Sequence, residues 1–300
     1  MFFTASLLAQ TPHFRTDVNL INITFSVRER QGKLVDDLNQ NEVEVLEDGV
    51  PQRLSFFGRT ADLPLTIGLI VDASDSQSKF FHRHHRDVET FLKDVLGPQD
   101  QAFLLCFGNH LRLVSDLTAS VPQIMNTLND FEHDKGHFPE LGPKEKRTEG
   151  TAFFDAIFYA AQEKLANARG RRALVVFSDG QDNASAHHLI DAIETLQGAD
   201  VLAYDVRYTD SGNHLTARDK YGIRVMQRIS HDSGAVDFDA SKGELDQTFR
   251  DIGAELRSLY EVGYYSHNPE RDGAFHKVVV RTTRPGLVTR AKPGYFAGEE

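Results

Sequence analysis

The sequence predicts an α/β protein: a doubly wound, mainly parallel sheet with helices on both faces, bracketed by two β-rich flanks. Three patterns predict it. From residue 65 to about 259, apolar runs of strand length alternate with stretches of helical period. Before and after that module, apolar and polar residues alternate one by one, as in half-buried strands. Within the module, apolar runs stop abruptly at carboxylates and hydroxyls, where open α/β sheets hold their ligands.

Residues 1–13 are expected to be a frayed terminus or the remnant of a signal peptide. Their start, MFFTASLLAQ, is apolar, with no basic residue before Arg15. Residues 14–62 form the first β-rich flank. Ile21, Ile23, Phe25 and Val27 alternate with Asn22, Thr24, Ser26 and Arg28, and Arg30-Gln31-Gly32-Lys33 makes a turn. A second strand surrounds Val43 and Val45. Glu47-Asp48-Gly49 supplies a hairpin turn, and residues 52–57 alternate around Leu54 and Phe56. Some forty residues of hairpin make a thin core, so this flank must lean on something else.

The α/β module spans 63–259. Its strands are predicted at 65–72, 101–107, 111–117, 173–177, 201–207 and 235–238. Its helices are predicted at 82–96, 121–132, 152–165, 186–196, 221–230 and 245–259. Gly108-Asn109 turns the second strand back on the third, and the polar stretch 134–149 reads as a long loop. Residues 260–300 return to alternation at 260–265, 276–282 and 287–291, with turns at Arg271-Asp272-Gly273 and Arg284-Pro285-Gly286. Two thin sheets need each other's apolar faces. The flanks are therefore expected to pack as one β-sandwich-like domain with the module inserted between them.

Composition excludes some functions. With 33 basic and 44 acidic residues, the net charge of −11 opposes nucleic acid or an anionic membrane as main partner. No apolar run reaches the roughly 20 residues that span a bilayer. The single cysteine, Cys106, lies in an apolar strand and reads as an inert core thiol. There is no Gly-x-Ser-x-Gly elbow, His-Glu-x-x-His pair or phosphate-binding Gly-Lys loop. His82 and His85 share a helix face, but Lys79, Arg83 and Arg86 surround them and oppose a cation. They read as a solvated helix start, together with His84, and His187 and His188 read the same way at another helix.

Three strand or loop ends carry the polar chemistry. Residues 67–71 run into Asp72-Ala73-Ser74-Asp75-Ser76. Gly150-Thr151 opens a helix that carries Asp155 one turn on. Val175-Val176-Phe177 runs into Ser178-Asp179-Gly180. If these ends are neighbours, Asp72, Ser74, Ser76, Thr151 and Asp179 converge. Hard oxygen donors with two anionic members suit Mg²⁺ (or Mn²⁺), and neutral hydroxyls leave the ion electrophilic. The competing reading is that these residues only cap the following helices. Asp155 is expected to support the site from behind, and Asp75 to face solvent or the helix start.

On these residues the module resembles a von Willebrand factor type A domain with an intact metal-ion-dependent adhesion site. The likeness lies in Asp72-x-Ser74-x-Ser76, in the stretch Gly150-Thr151-Ala152-Phe153-Phe154-Asp155-Ala156-Ile157, and in the apolar strand ending at Asp179-Gly180. The resemblance implies Ser74, Ser76 and Thr151 as direct ligands, with Asp72 and Asp179 binding directly or through water. A partner's Glu or Asp, or a water, would fill the remaining position. It further implies a binding module rather than an enzyme, and a shift of the last helix coupled to coordination. Glu149 departs from the family, where Gly is common, and is expected to point to solvent.

The flanks resemble a bacterial, often exported, subfamily, in Glu44 to Gly49, in Tyr260 to Tyr265 and in Arg290 to Tyr295. That implies an extracytoplasmic location. Two other functions stay open: a scaffold whose metal only stabilises it, and a metal-dependent phosphohydrolase with Asp72 as phosphoryl acceptor. Ser74 speaks against the latter, because phosphatases of that kind want an acid two residues after the nucleophile.

Overall fold

The computed structural model describes residues 20–142, 150–209, 214–243, 245–268 and 273–298. The expectations for 1–13, for Glu149 and for the 143–149 part of the loop 134–149 lie outside these residues, as does part of the turn at 271–273.

Continuous apolar runs become the central sheet. Its strands are β5 (Leu65–Asp72), β6 (Gln101–Phe107), β7 (Leu111–Thr118), β8 (Arg171–Ser178), β9 (Val201–Arg207) and β10 (Asp237–Asp239). Their spatial order is β10-β9-β8-β5-β6-β7, and only β7 runs antiparallel. β5 lies inside this order and is buried along its whole length. Leu65, Ile67, Leu69 and Val71 face one core, and Ile70 faces the other.

The first core is closed by α1 (Phe81–Val95), α2 (Val121–Glu132) and α6 (Asp246–Arg257) through Phe91, Ile124, Phe249 and Ile252. The second is closed by α3 (Phe153–Tyr159), α4 (Leu189–Gly198) and α5 (Ala217–Ser233) through Phe153, Ile157, Ile193 and Met226. Helices thus cover both faces, the doubly wound arrangement. Among the described residues no helix is long and apolar enough to cross a membrane.

Two antiparallel sheets lie beside this module, and each draws strands from both ends of the chain. One has the order β13-β1-β11-β4, with β1 (Leu20–Glu29), β4 (Leu54–Arg59), β11 (Tyr260–Tyr265) and β13 (Leu287–Ala291). The other has the order β14-β12-β2-β3, with β2 (Val43–Glu47), β3 (Val50–Pro51), β12 (Phe275–Thr282) and β14 (Gly294–Phe296). Their inner faces share a core of Ile23, Phe25, Val27, Val43, Val45, Tyr260, Val262, Val278 and Val280. The flanks therefore build one β-sandwich.

Some details differ from the sequence reading. The hairpin at Asp48-Gly49 pairs β2 only with the two-residue β3, and the chain then crosses to the other sheet as β4. Pro51 has no N–H to extend the ladder. The helix predicted at 152–165 is α for its first half and π over Ala160–Leu165. α5 starts at Ala217, well before the predicted 221. His84 is not solvated: it is buried against Phe177 and Tyr208, while His82 is exposed as expected.

Buried polar contacts join sandwich and module. The Arg171 guanidinium donates to Thr24 Oγ1 at 3.0 Å, and that hydroxyl donates to Asp200 Oδ2 at 2.9 Å. On α6, the buried Glu255 carboxylate binds Arg28 at 2.9 Å and also Arg290, which belong to β1 and β13.

Candidate metal centre

The carboxyl ends of β5 and β8 are neighbours in the sheet, and this brings the first and third motifs together. Asp72 is the last residue of β5 and is fully buried. Its Oδ1 accepts the Ser74 backbone N–H at 3.0 Å, and its Oδ2 accepts the Ser178 hydroxyl at 2.5 Å. The Ser178 hydroxyl in turn accepts the Gly180 N–H at 3.0 Å. Burial raises the Asp72 carboxyl to about 7, against these hydrogen bonds and with a further upward push from Asp179. A cation bound nearby would favour the ionised form of this carboxyl.

Asp179 is nearly buried as well. Its Oδ2 accepts the Ser76 hydroxyl at 3.2 Å and the Gln77 side-chain amide at 2.9 Å, and its Oδ1 accepts the Gln181 N–H at 3.0 Å. The Ser74 and Ser76 hydroxyl oxygens are 3.2 Å apart. Ser74, Asp179, Ser76 and Asp72 thus form one connected group. Helix α5 fixes its far wall: a Cβ on Gly222 would lie 2.3 Å from the Asp179 carbonyl oxygen, so only glycine lets the helix seat there.

Thr151 reaches the same place by a different route. The Ala152 N–H donates to the Gly108 carbonyl at 2.8 Å, which ties this loop to the β6–β7 turn. The Thr151 N–H donates to Asn183 Oδ1 at 2.7 Å, and its carbonyl accepts the N–H groups of Asn183 and Ala184. Gly150 has φ +113, and a Cβ there would strike Asn183 and Ala184. Ser74, Ser76 and Thr151 line one groove of about 500 Å³, together with Asp75, Gly108, Asn109, Gln181, Asn183 and Arg218. Asp72 and Asp179 are not among its lining residues; they sit beneath the hydroxyls.

The capping alternative does not describe these hydroxyls. Ser74 occupies an N-cap position, yet its side chain makes no capping hydrogen bond. The N-cap of α3 is Ala152, and Asp182 supplies the missing acceptor from another loop, taking the Phe153 N–H at 2.9 Å. Asp155 is fully buried behind the groove and holds the Ala186 and His187 N–H groups and the His187 ring. His187 also stacks on Phe158 at 3.7 Å, so it is a structural wedge rather than a solvated helix start.

Sequence reading named Ser178 only as part of the third motif, without its bond to Asp72, and missed Gln77, Asp182 and Asn183. No local signal marked the last two: a helix starting at 152 offers Thr151 as its own cap, and only the structure shows Ala152 at the cap position with Asp182 and Asn183 reaching in from the loop after β8. Cys106 is buried as expected, and burial pushes its thiol well up.

No protein-family model matches the chain, and no curated protein does. Solved structures do resemble it. An aerotolerance-related membrane protein from Bacteroides fragilis gives a TM-score of 0.47 at 14% identity, over 64% of this chain and 98% of its own. The von Willebrand factor A domain of SpRpn10 gives 0.42 at 16%, over 62% and 93%. Proximal thread matrix protein 1 from the mussel byssus, solved with zinc in its adhesion-site motif, gives 0.47 at 16%, over 70% and 49%. At these identities no residue role is transferred from them.

Proposed function

We propose that this chain is a non-enzymatic, divalent-metal-dependent protein-binding module of the von Willebrand factor A class, carried on a β-sandwich. The module is taken as 63–259, with the sandwich built from 14–62 and 260–300. Ser74, Ser76 and Thr151 would hold Mg²⁺ (or Mn²⁺), with Asp72 and Asp179 contributing negative charge directly or through water. A bound cation of this kind supplies an electrophilic position for one carboxylate of a partner's Glu or Asp. Asp155 would act at one remove, by fixing the loop behind Thr151.

The observation that carries the reading is the layering of the groove: hydroxyls from separate segments on its surface, two carboxylates directly below. Hydroxyl donors leave the charge of a dication largely uncompensated at the mouth, while the carboxylates beneath keep it in place. The same layering weighs against phosphoryl transfer. Asp72 has no exposed surface, and each of its oxygens already accepts a hydrogen bond. The likeness of the flanks to an often exported bacterial subfamily supports an extracytoplasmic location.

Thermal melts with and without Mg²⁺ or Mn²⁺ test the site. The ion is expected to raise the midpoint of the parent chain, but not that of Asp72→Ala or Thr151→Ala. No shift in the parent with either ion would overturn the metal site. Partner capture that is unchanged by chelator would leave only a scaffold role. Ester hydrolysis lost in Asp72→Ala would instead favour the phosphohydrolase.

A further inference from the structure

A different group of metal-ligating side chains lies in the sandwich. Along β2 the inward series is Val43, Val45, Glu47; along β12, read backward, it is Val280, Val278, His276. Each series is apolar until the same end of the core, where it finishes on an ionisable residue. Glu47 and His276 are only 3% and 4% exposed. Asp48 follows Glu47 at the hairpin turn, in the left-handed conformation with φ +49. Carboxylate oxygens of Glu47 and Asp48 and a ring nitrogen of His276 lie within 4.8 Å of one another.

The surroundings orient these groups. Tyr295 donates its hydroxyl to Glu47 Oε2 at 3.1 Å, and Ser266 donates to Glu47 Oε1. The Lys277 N–H donates to Asp48 Oδ1 at 2.9 Å, and His276 Nδ1 lies 2.9 Å from Asp48 Oδ2. The His276 ring stacks on Tyr295 with centroids 5.4 Å apart. Its other nitrogen, Nε2, is buried without a hydrogen-bond partner. Among the described residues no Lys or Arg pairs with Glu47. Two carboxylates and an imidazole within reach of one point, with hydroxyl and amide donors orienting the carboxylates and a buried ring nitrogen left unpartnered, make the setting of a metal site with its supporting shell.

We propose that Glu47, Asp48 and His276 form a second divalent-cation site, of the borderline class that zinc represents, at the open end of the sandwich core. One imidazole and two carboxylates suit Zn²⁺ and leave a fourth position for water. Bound there, the ion would tie the β2–β3 hairpin to β12, residues far apart in sequence. The site is independent of the strand-end groove and does not rest on its assignment.

Zinc binding to the metal-free full-length chain tests this by equilibrium dialysis, in parent, Asp72→Ala, His276→Gln and Asp48→Asn proteins. The Asp72→Ala protein is expected to keep one tight zinc equivalent, and Asp72→Ala/His276→Gln to lose it. Asp48→Asn, whose side chain is half exposed, should stay folded and weaken that equivalent at least about tenfold, as partial loss of ligand charge does. Circular dichroism of each metal-free variant checks folding. If His276→Gln and Asp48→Asn bind as many tight equivalents as the parent, or if Asp72→Ala binds none, the second site is wrong. If the strand-end groove takes no zinc, the parent binds one equivalent and His276→Gln none, so the two assignments fail separately.

Discussion

Replacing Gly222 by alanine sets two effects against each other. Gly222 lies within α5, where alanine is preferred over glycine by about 1 kcal/mol. Propensity alone therefore predicts a more stable protein. Packing predicts the reverse. The added Cβ would stand 2.3 Å from the Asp179 carbonyl oxygen and 3.2 Å from the Gly180 carbonyl carbon. Both contacts are backbone, so no side chain can swing away. Restoring ordinary contact requires α5 and the β8 end to part by about 1 Å, and overpacking of this kind costs about 1–3 kcal/mol. The net expectation is a loss of up to about 2 kcal/mol, read as a lower urea midpoint with unchanged slope. Because the displaced atom belongs to Asp179, the melting shift produced by Mg²⁺ should shrink as well. Gly198→Ala is the control: a Cβ there meets nothing within 4 Å, so stability should hold or rise by up to about 1 kcal/mol. If Gly222→Ala behaves like Gly198→Ala, with its Mg²⁺ response intact, close seating of α5 does not set the position of Asp179.

Asp182→Ala removes the acceptor that caps α3 from another loop; a loss of about 1 kcal/mol by chemical denaturation and a ten- to hundredfold weaker Mg²⁺ response are expected, and an unchanged midpoint would refute the capping role. Burial, then Arg83, lowers His84 to about 3, below its ordinary 6.5. Below pH 6.5 the unfolded chain takes up a proton that the folded chain refuses, so stability is full above 6.5 and is lost as pH falls towards 3, by roughly 2 kcal/mol at pH 5. His84→Phe should show a flatter stability profile between pH 7 and 5; parallel profiles would mean that His84 is protonated in the folded state. Glu255→Gln leaves Arg28 and Arg290 facing a neutral amide. Both guanidinium groups keep some contact with water, so about 1–3 kcal/mol should be lost rather than the ~3–5 of a fully buried pair. Equal stability of Glu255→Gln and parent would show that these pairs do not hold α6 to the sandwich.

The strands were legible because burial on both sides leaves a mark that needs no context. Residues 65–71, 173–177 and 201–206 are apolar or small almost throughout, and only the interior of a covered sheet asks for that. The flanks were legible from strict alternation, and their union from the lack of any other surface to bury them. Element ends were less clear. The first turn of α5, Ala217-Arg218-Asp219-Lys220, carries no apolar stripe, so periodicity begins only later; the capping box of Thr216 and Asp219 marks the true start. β14 follows Pro293 and has three residues, too few for a pattern. The crossing from β3 to β4 depends on which sheet accepts the strand, and that is a property of the partner.

The polar groove divides along the same line. Asp72, Ser74, Ser76, Thr151 and Asp179 could be picked out because an acid or hydroxyl ending an apolar run is locally conspicuous. Asp182 and Asn183 could not, and Ser178 stood in the third motif without its role, because what they do is accept or donate across 28 to 106 residues of chain. Yet these long-range contacts separate a capping role from a ligand role. A hydroxyl that caps has its oxygen turned to its own helix. Ser74 makes no such bond, and the helix after Thr151 is capped by Asp182, an acceptor borrowed from the loop after β8. Asn183 takes the Thr151 N–H in the same way. The backbone donors beside Thr151 are served by Asn183 and Asp182, and the Gln77 N–H goes to the Ser74 carbonyl, so both hydroxyl oxygens are left to line the groove. An arrangement that recruits distant side chains for tasks a local Ser or Thr usually performs is explained if those hydroxyls are reserved for a ligand.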